Sequence, residues 1–143
     1  MIDASCNQAS AGKALPPSRK STICVVDDDF DVLKSLRFLL ETEGFDVRTF
    51  RSGSALLGSR SRYDADCLVI DYKMSGIDGL ELVRRLRGLG IHTPIVVITG
   101  FIDEDFSEKA RSVGVRQVLK KPDLAENLSV AVRDAINDTN TPR

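Results

Sequence analysis

A chain of 143 residues, 42% of them hydrophobic and 29% charged, has the balance of one ordinary folded domain with enough bulk to bury a core. Its net charge of −1 argues against a nucleic-acid or membrane surface built on bulk electrostatics, and no apolar run approaches the ~20 residues of a membrane span. The first residues lack the apolar stretch of a signal peptide, and Cys6, Cys24 and Cys67 show no pairing or metal-ligand pattern, so the expected compartment is cytoplasmic.

Residues 1–20 are small, polar and proline-containing without periodicity, which predicts a disordered tail. Thr22 to Val26 is a β-favouring run of the kind buried on both faces of a sheet, and it ends in Asp27-Asp28-Asp29. Val32, Leu33, Leu36, Leu39 and Leu40 then recur at helical spacing and Gly44 closes the segment. Phe45 to Phe50 predicts a second strand, and Ser52-Gly53-Ser54 opens a brief helix around Leu56. Cys67-Leu68-Val69-Ile70-Asp71 is a third strand that stops at a carboxylate. The third helix follows, marked by Leu82, Val83, Leu86 and Leu89, with Arg84, Arg85 and Arg87 expected on a solvated face. Ile95 to Ile98 is a fourth buried strand ending in Thr99-Gly100. Asp103, Glu104 and Asp105 start a fourth helix, where acids suit the positive dipole end. Arg116 to Leu119 is a weaker fifth strand ending in Lys120-Lys121-Pro122, and Leu124, Leu128, Ala131, Ala135 and Ile136 share one face of a last helix that fades from Asn137. His92 stands alone in a loop and is given no role. Five strands alternating with five helices predict a parallel sheet covered on both faces.

In open parallel sheets, ligands collect outside the carboxyl ends of the strands. An unpaired buried charge is costly, so Asp71 must lie where its strand emerges. The first, third, fourth and fifth strands deliver Asp27-Asp28, Asp71, Thr99 and Lys121 to one rim. Three clustered carboxylates repel one another unless a cation neutralises them, and hard oxygen ligands suit Mg²⁺. A hydroxyl and an ammonium add donors for an anion lying over that metal. With a carboxylate able to act as nucleophile, the set describes phosphoryl transfer through an aspartyl phosphate. Plainer readings stand beside it. Asp27-Asp28-Asp29 also suit helix capping, the better reading for Asp29; Thr99 also suits a loop, and Lys121-Pro122 a turn. Arrival in order at four strand ends is what favours a site.

Residues 22–137 resemble a response-regulator receiver domain, the phosphate-accepting half of two-component signalling. The resemblance rests on Val25-Val26-Asp27-Asp28-Asp29, the block Asp71-x-x-Met74-x-Gly76-x-Asp78-Gly79, Ile98-Thr99-Gly100 and Lys121-Pro122. It implies an α/β fold, a flavodoxin-like doubly wound five-stranded parallel sheet of order 2-1-3-4-5, over a domain of residues 21–138 with a short frayed tail at 139–143. It implies that Asp71 takes a phosphoryl group from a sensor histidine kinase or histidine phosphotransfer protein. Asp28 and Asp71 would ligate Mg²⁺ directly, Asp27 mainly through water, and the Lys73 carbonyl would complete the protein ligands. Thr99 and Lys121 would hold the phosphoryl oxygens, and the Lys121-Pro122 peptide would be cis. Such a domain catalyses its own phosphorylation and dephosphorylation, but its role is that of a switch.

The same resemblance implies a docking partner on the polar side of the first helix, at Lys34, Ser35, Arg37 and Glu41. It implies a response on the face near the fourth and fifth helices and allows a homodimer through the fourth helix/fifth strand face, with no direct contact to nucleic acid or membrane. A single-domain regulator and the receiver of a longer transcription factor both fit the sequence. Three positions depart from the family pattern: Ser75 replaces a usual proline, which predicts a looser loop; Asp123 follows Lys-Pro; and Val118 stands where many members carry an aromatic switch residue. Two rival readings are a haloacid-dehalogenase-like phosphatase, whose Asp-x-Asp-x-Thr/Val motif is missed at its last position, where Asp31 stands, and a receiver-like binding scaffold that is never phosphorylated.

Overall fold

The strand runs chosen by β-branched residues do pair side by side. The structure, a computed structural model, describes residues 20–121 and 124–140. The elements are β1 (Thr22–Val26), α1 (Phe30–Thr42), β2 (Asp46–Phe50), α2 (Gly53–Leu57), α3 (Ser61–Asp64), β3 (Cys67–Asp71), α4 (Gly79–Gly88), β4 (Ile95–Thr99), α5 (Glu104–Ser112), β5 (Gln117–Lys120) and α6 (Leu124–Asn140). The five strands form one parallel sheet in the order β2-β1-β3-β4-β5, as expected. Among the described residues the helices number six rather than five. The extra one, α3, is a four-residue turn preceded by Arg60, which makes no side-chain cap bond, so neither periodicity nor capping marks it in the sequence. Helix α6 continues to Asn140, past the point where its apolar pattern fades. The expected tail, the cis Lys121-Pro122 peptide, Asp123 and Cys6 lie outside the described residues.

Alternation along each strand divides the core. Ile23, Val25, Cys67, Val69, Val96 and Ile98 face one layer with Leu33, Leu36 and Leu40 of α1 and Leu128, Ala131 and Val132 of α6. Cys24, Val26, Leu68, Ile70, Ile95 and Val97 face the other with Leu56, Leu82, Val83, Leu86 and Ala110. Burying one such aliphatic side chain contributes roughly 1.5–3 kcal/mol, so these two layers carry the fold. Cys24 and Cys67 point into opposite layers, and burial pushes their thiols up to about 11 and about 12, which leaves them as small inert hydrophobes.

The helix ends follow their sequence signals. Asp29, Ser52, Asp78 and Asp103 each accept a backbone N–H of the following first turn. At Gly79 the requirement is space: an added Cβ would lie 2.6 Å from the Asp71 carbonyl oxygen and 2.8 Å from Tyr72 Cα, so α4 begins hard against the end of β3.

The arginines of α4 divide. Arg84 and Arg85 pair with Glu81 on the exposed side, as a solvated face should. Arg87 instead turns inward and donates to the carbonyls of Ile91 (2.9 Å), Thr93 (2.8 Å) and Gly114 (2.6 Å). The expectation of solvation fails for it because the turns after α4 and α5 leave carbonyls that a planar, multi-donor guanidinium can gather.

Candidate functional site

Strands β1 and β3 are neighbours, with Val26 opposite Ile70, so the next residue of each, Asp27 and Asp71, emerge side by side at the rim. Both are almost wholly buried, at 1% and 4% exposure. Two adjacent buried carboxylates need a counter-charge, and Lys121 supplies it from the end of β5. Its Nζ lies 3.0 Å from Asp71 Oδ1 and 3.5 Å from Asp27 Oδ2. Asp27 Oδ1 also accepts the Asp29 N–H at 2.9 Å, and the Asp27 N–H donates to the Phe50 carbonyl.

Burial pushes the Asp71 carboxyl above the ordinary carboxylate range; the Lys121 bond opposes this and the Asp27 charge adds to it. Asp27 is raised for the same first reason, against the pull of the Asp29 N–H and Lys121. For Lys121, burial pulls the ammonium down, but the bonds and charges of Asp71 and Asp27 together outweigh it and hold the pKa above normal.

Asp28 completes the acidic set: one carboxylate oxygen from each of Asp27, Asp28 and Asp71 lies within 4.8 Å of the others. Capping of α1 falls to Asp29, whose Oδ1 accepts from Asp31 and Val32, while Asp28 turns toward the β3–α4 loop. There its Oδ2 accepts the Ser75 N–H at 2.9 Å and the Ser75 hydroxyl at 3.3 Å. Three carboxylates converging with a single partly exposed ammonium form a hard-oxygen donor set of the type that divalent cations take.

Thr99 ends β4 beside this group and is buried. Its Oγ1 lies 3.3 Å from the Phe101 carbonyl and 3.4 Å from the Phe101 N–H, so the hydroxyl is engaged with its own loop. Its carbonyl accepts the Lys121 N–H at 2.8 Å, which ties the β5 end to the β4 end. Lys73 is exposed on the loop leaving β3, and with Thr99, Phe101 and Tyr72 it lines a cavity of ≈ 500 Å³ beside the acidic group. All six residues singled out from the sequence thus lie on one rim. Sequence reasoning missed the Ser75–Asp28 contact, since it expected Ser75 to loosen the loop that it ties down. The missing signal was chemical: proline lacks the N–H that serine offers.

A family model of the response regulator receiver domain matches residues 23–133. The chain belongs to that family. Transcriptional regulatory protein FixJ of Azorhizobium caulinodans is 38% identical over 112 residues, covering 78% of this chain and 53% of that protein. Response regulator protein TodT of Pseudomonas putida is 36% identical over 118 residues, covering 82% and 52%. This chain therefore spans about half the length of the curated relatives it matches. Among solved structures, a response regulator receiver domain protein from Clostridium thermocellum aligns with a TM-score of 0.76 and 30% identity, covering 83% of this chain and 96% of that one. Response regulator StyR aligns with a TM-score of 0.76 and 36% identity, covering 83% and 60%. Membership sets aside the haloacid-dehalogenase reading. Among the described residues, no helix of this receiver domain is long and apolar enough to cross a membrane.

Proposed function

We propose that this receiver domain is a phosphorylation switch whose acceptor is Asp71. The reading is supported by one observation above the rest: two buried aspartates from adjacent strands meet a lysine from the far edge strand, beside a third carboxylate. An Asp71 oxygen attacks the phosphorus of a phosphohistidine on a sensor histidine kinase or phosphotransfer protein. A P–O bond forms, the P–N bond breaks, and the leaving imidazole takes a proton from solvent. Lys121 and the Thr99 hydroxyl hold the phosphoryl oxygens, the latter by leaving Phe101. Water later attacks the same phosphorus, which releases orthophosphate and restores the carboxylate.

Asp27, Asp28 and Asp71, with the Lys73 carbonyl, are the residues that would hold Mg²⁺. When bound, the ion neutralises charge that otherwise builds between the acceptor and the incoming group.

Docking of the donor protein is assigned to α1. Its outer face carries Phe30 and Phe38, both more than half exposed, with Lys34 and Arg37 between them. Phe30, Leu33, Lys34, Arg37, Thr49 and Arg51 line a groove of ≈ 470 Å³ there, and the Lys34 and Arg51 cations each lie 5.7 Å from the Phe30 ring centre. The response is carried by the α5, β5 and α6 face, which is also where self-association belongs.

Incubation with acetyl phosphate and Mg²⁺, followed by intact mass, tests the acceptor. One added phosphoryl group is expected on the wild type and none on Asp71→Asn, because an amide is a poor nucleophile. Labelling that persists in Asp71→Asn overturns the assignment, and no labelling of the wild type favours a binding scaffold.

A further inference from the structure

We infer that Ser75 is a positioning residue for the metal-holding carboxylate of Asp28, acting through its backbone N–H. The inference rests on the magnesium reading above. Asp28 is the least buried of the three carboxylates, and it stands on the β1–α1 loop rather than on a strand. A carboxylate so placed rotates freely unless something holds it, and ordering it when a cation arrives reduces affinity.

Ser75 removes that freedom. Its N–H at 2.9 Å and its hydroxyl at 3.3 Å both fall on Asp28 Oδ2, which fixes the plane of the carboxylate. The contact spans 47 residues of chain and closes the loop after β3 onto the loop after β1. In that same conformation Asp28 contributes its oxygen to the cluster within 4.8 Å of Asp27 and Asp71. Hydrogen bonds from outside the ligand set that fix a ligand's orientation typically change metal affinity by about 10–100-fold. The N–H carries more of the effect than the hydroxyl, because it is the shorter bond and belongs to the backbone. Proline at this position would delete the N–H outright.

Two measurements test this. Amide exchange of Ser75, followed by NMR in metal-free protein, should be slow in the wild type and fast in Asp28→Ala, with the rest of the fold unaffected. Equal exchange in the two proteins overturns the inference, whatever the metal does. Magnesium titration by calorimetry should then give Ser75→Pro a Kd about tenfold weaker than the wild type. Ser75→Ala keeps the N–H and should stay within about twofold, since a long hydroxyl contact is weak. Equal or tighter binding by Ser75→Pro overturns the role of Ser75 and leaves the magnesium reading standing. An alanine variant as weak as proline overturns the assignment to the N–H. A wild type that takes up no Mg²⁺ overturns both the reading and the inference.

Discussion

Lys121 Nζ reaches Asp71 Oδ1 at 3.0 Å from the end of the sheet's edge strand, across the full width of β4. The pair joins elements that do not touch as strands, and its acid is almost wholly buried while its base keeps partial solvent access. Removing one partner of a fully buried pair costs about 3–5 kcal/mol, and the exposure of Lys121 lowers that figure. Lys121→Met should therefore destabilise the metal-free domain by about 2 kcal/mol. Urea melts with and without Mg²⁺ check it, and a bound divalent cation should return part of the loss. A variant as stable as the wild type would mean the lysine neutralises nothing.

The same geometry sets a pH dependence. Burial holds the Asp71 carboxyl above its ordinary value of 3.8. In the window from that value up to the raised one, the folded chain keeps a proton that the unfolded chain has released. Stability contributed by this group therefore falls as pH rises through the window. Asp71→Asn never develops the charge. In the absence of metal it should match the wild type near about pH 4 and become the more stable protein toward about pH 7. Melts across that range decide, and a gap that shrinks with rising pH would contradict the assignment.

Asp28→Asn separates charge from shape. The amide oxygen can still accept from Ser75, so the loop contact survives, while one repelling charge is lost. The metal-free variant should gain up to about 1 kcal/mol. It should also lose most of its thermal response to Mg²⁺. For the wild type that response is about 2.7 kcal/mol at a hundredfold excess over Kd. Since Asp29 caps α1, a capping role predicts neither effect at position 28. Paired melts with and without the ion distinguish the two.

Away from the site, Arg87 gathers three backbone carbonyls from two different turns. Arg87→Ala strands those acceptors and should cost about 2 kcal/mol. Arg87→Lys should restore less than half, because a point ammonium cannot reproduce the planar fork. Denaturant midpoints at constant m value would show it.

The centre of the sheet was legible because β1, β3 and β4 are buried on both faces, and such strands must be continuous apolar runs bounded by turn residues, as Ile95 to Ile98 are. The rim residues were legible for the complementary reason: Asp71 ends a run in which a charge has no other tolerable place. What escaped notice depends on contacts between distant segments. The inward turn of Arg87 requires Gly114, and the grip of Ser75 requires Asp28. No periodicity encodes either, and each residue taken alone reads as an ordinary surface polar group. Helix α3 escaped because its four residues make little more than one turn, too few for an apolar period to recur.

The order of the strands along the chain has a consequence for synthesis. Asp27 follows β1 and Asp71 ends β3, adjacent strands made early, whereas Lys121 follows β5, 94 residues after Asp27. A ribosome delivers the two acids well before the base that separates their charges. Because β5 occupies an edge, it can be laid against β4 last without rethreading anything already folded. Until it arrives, a nascent sheet holds its acidic notch without the lysine, and closing the pocket still leaves α6 to pack Leu128, Ala131 and Val132 onto the core.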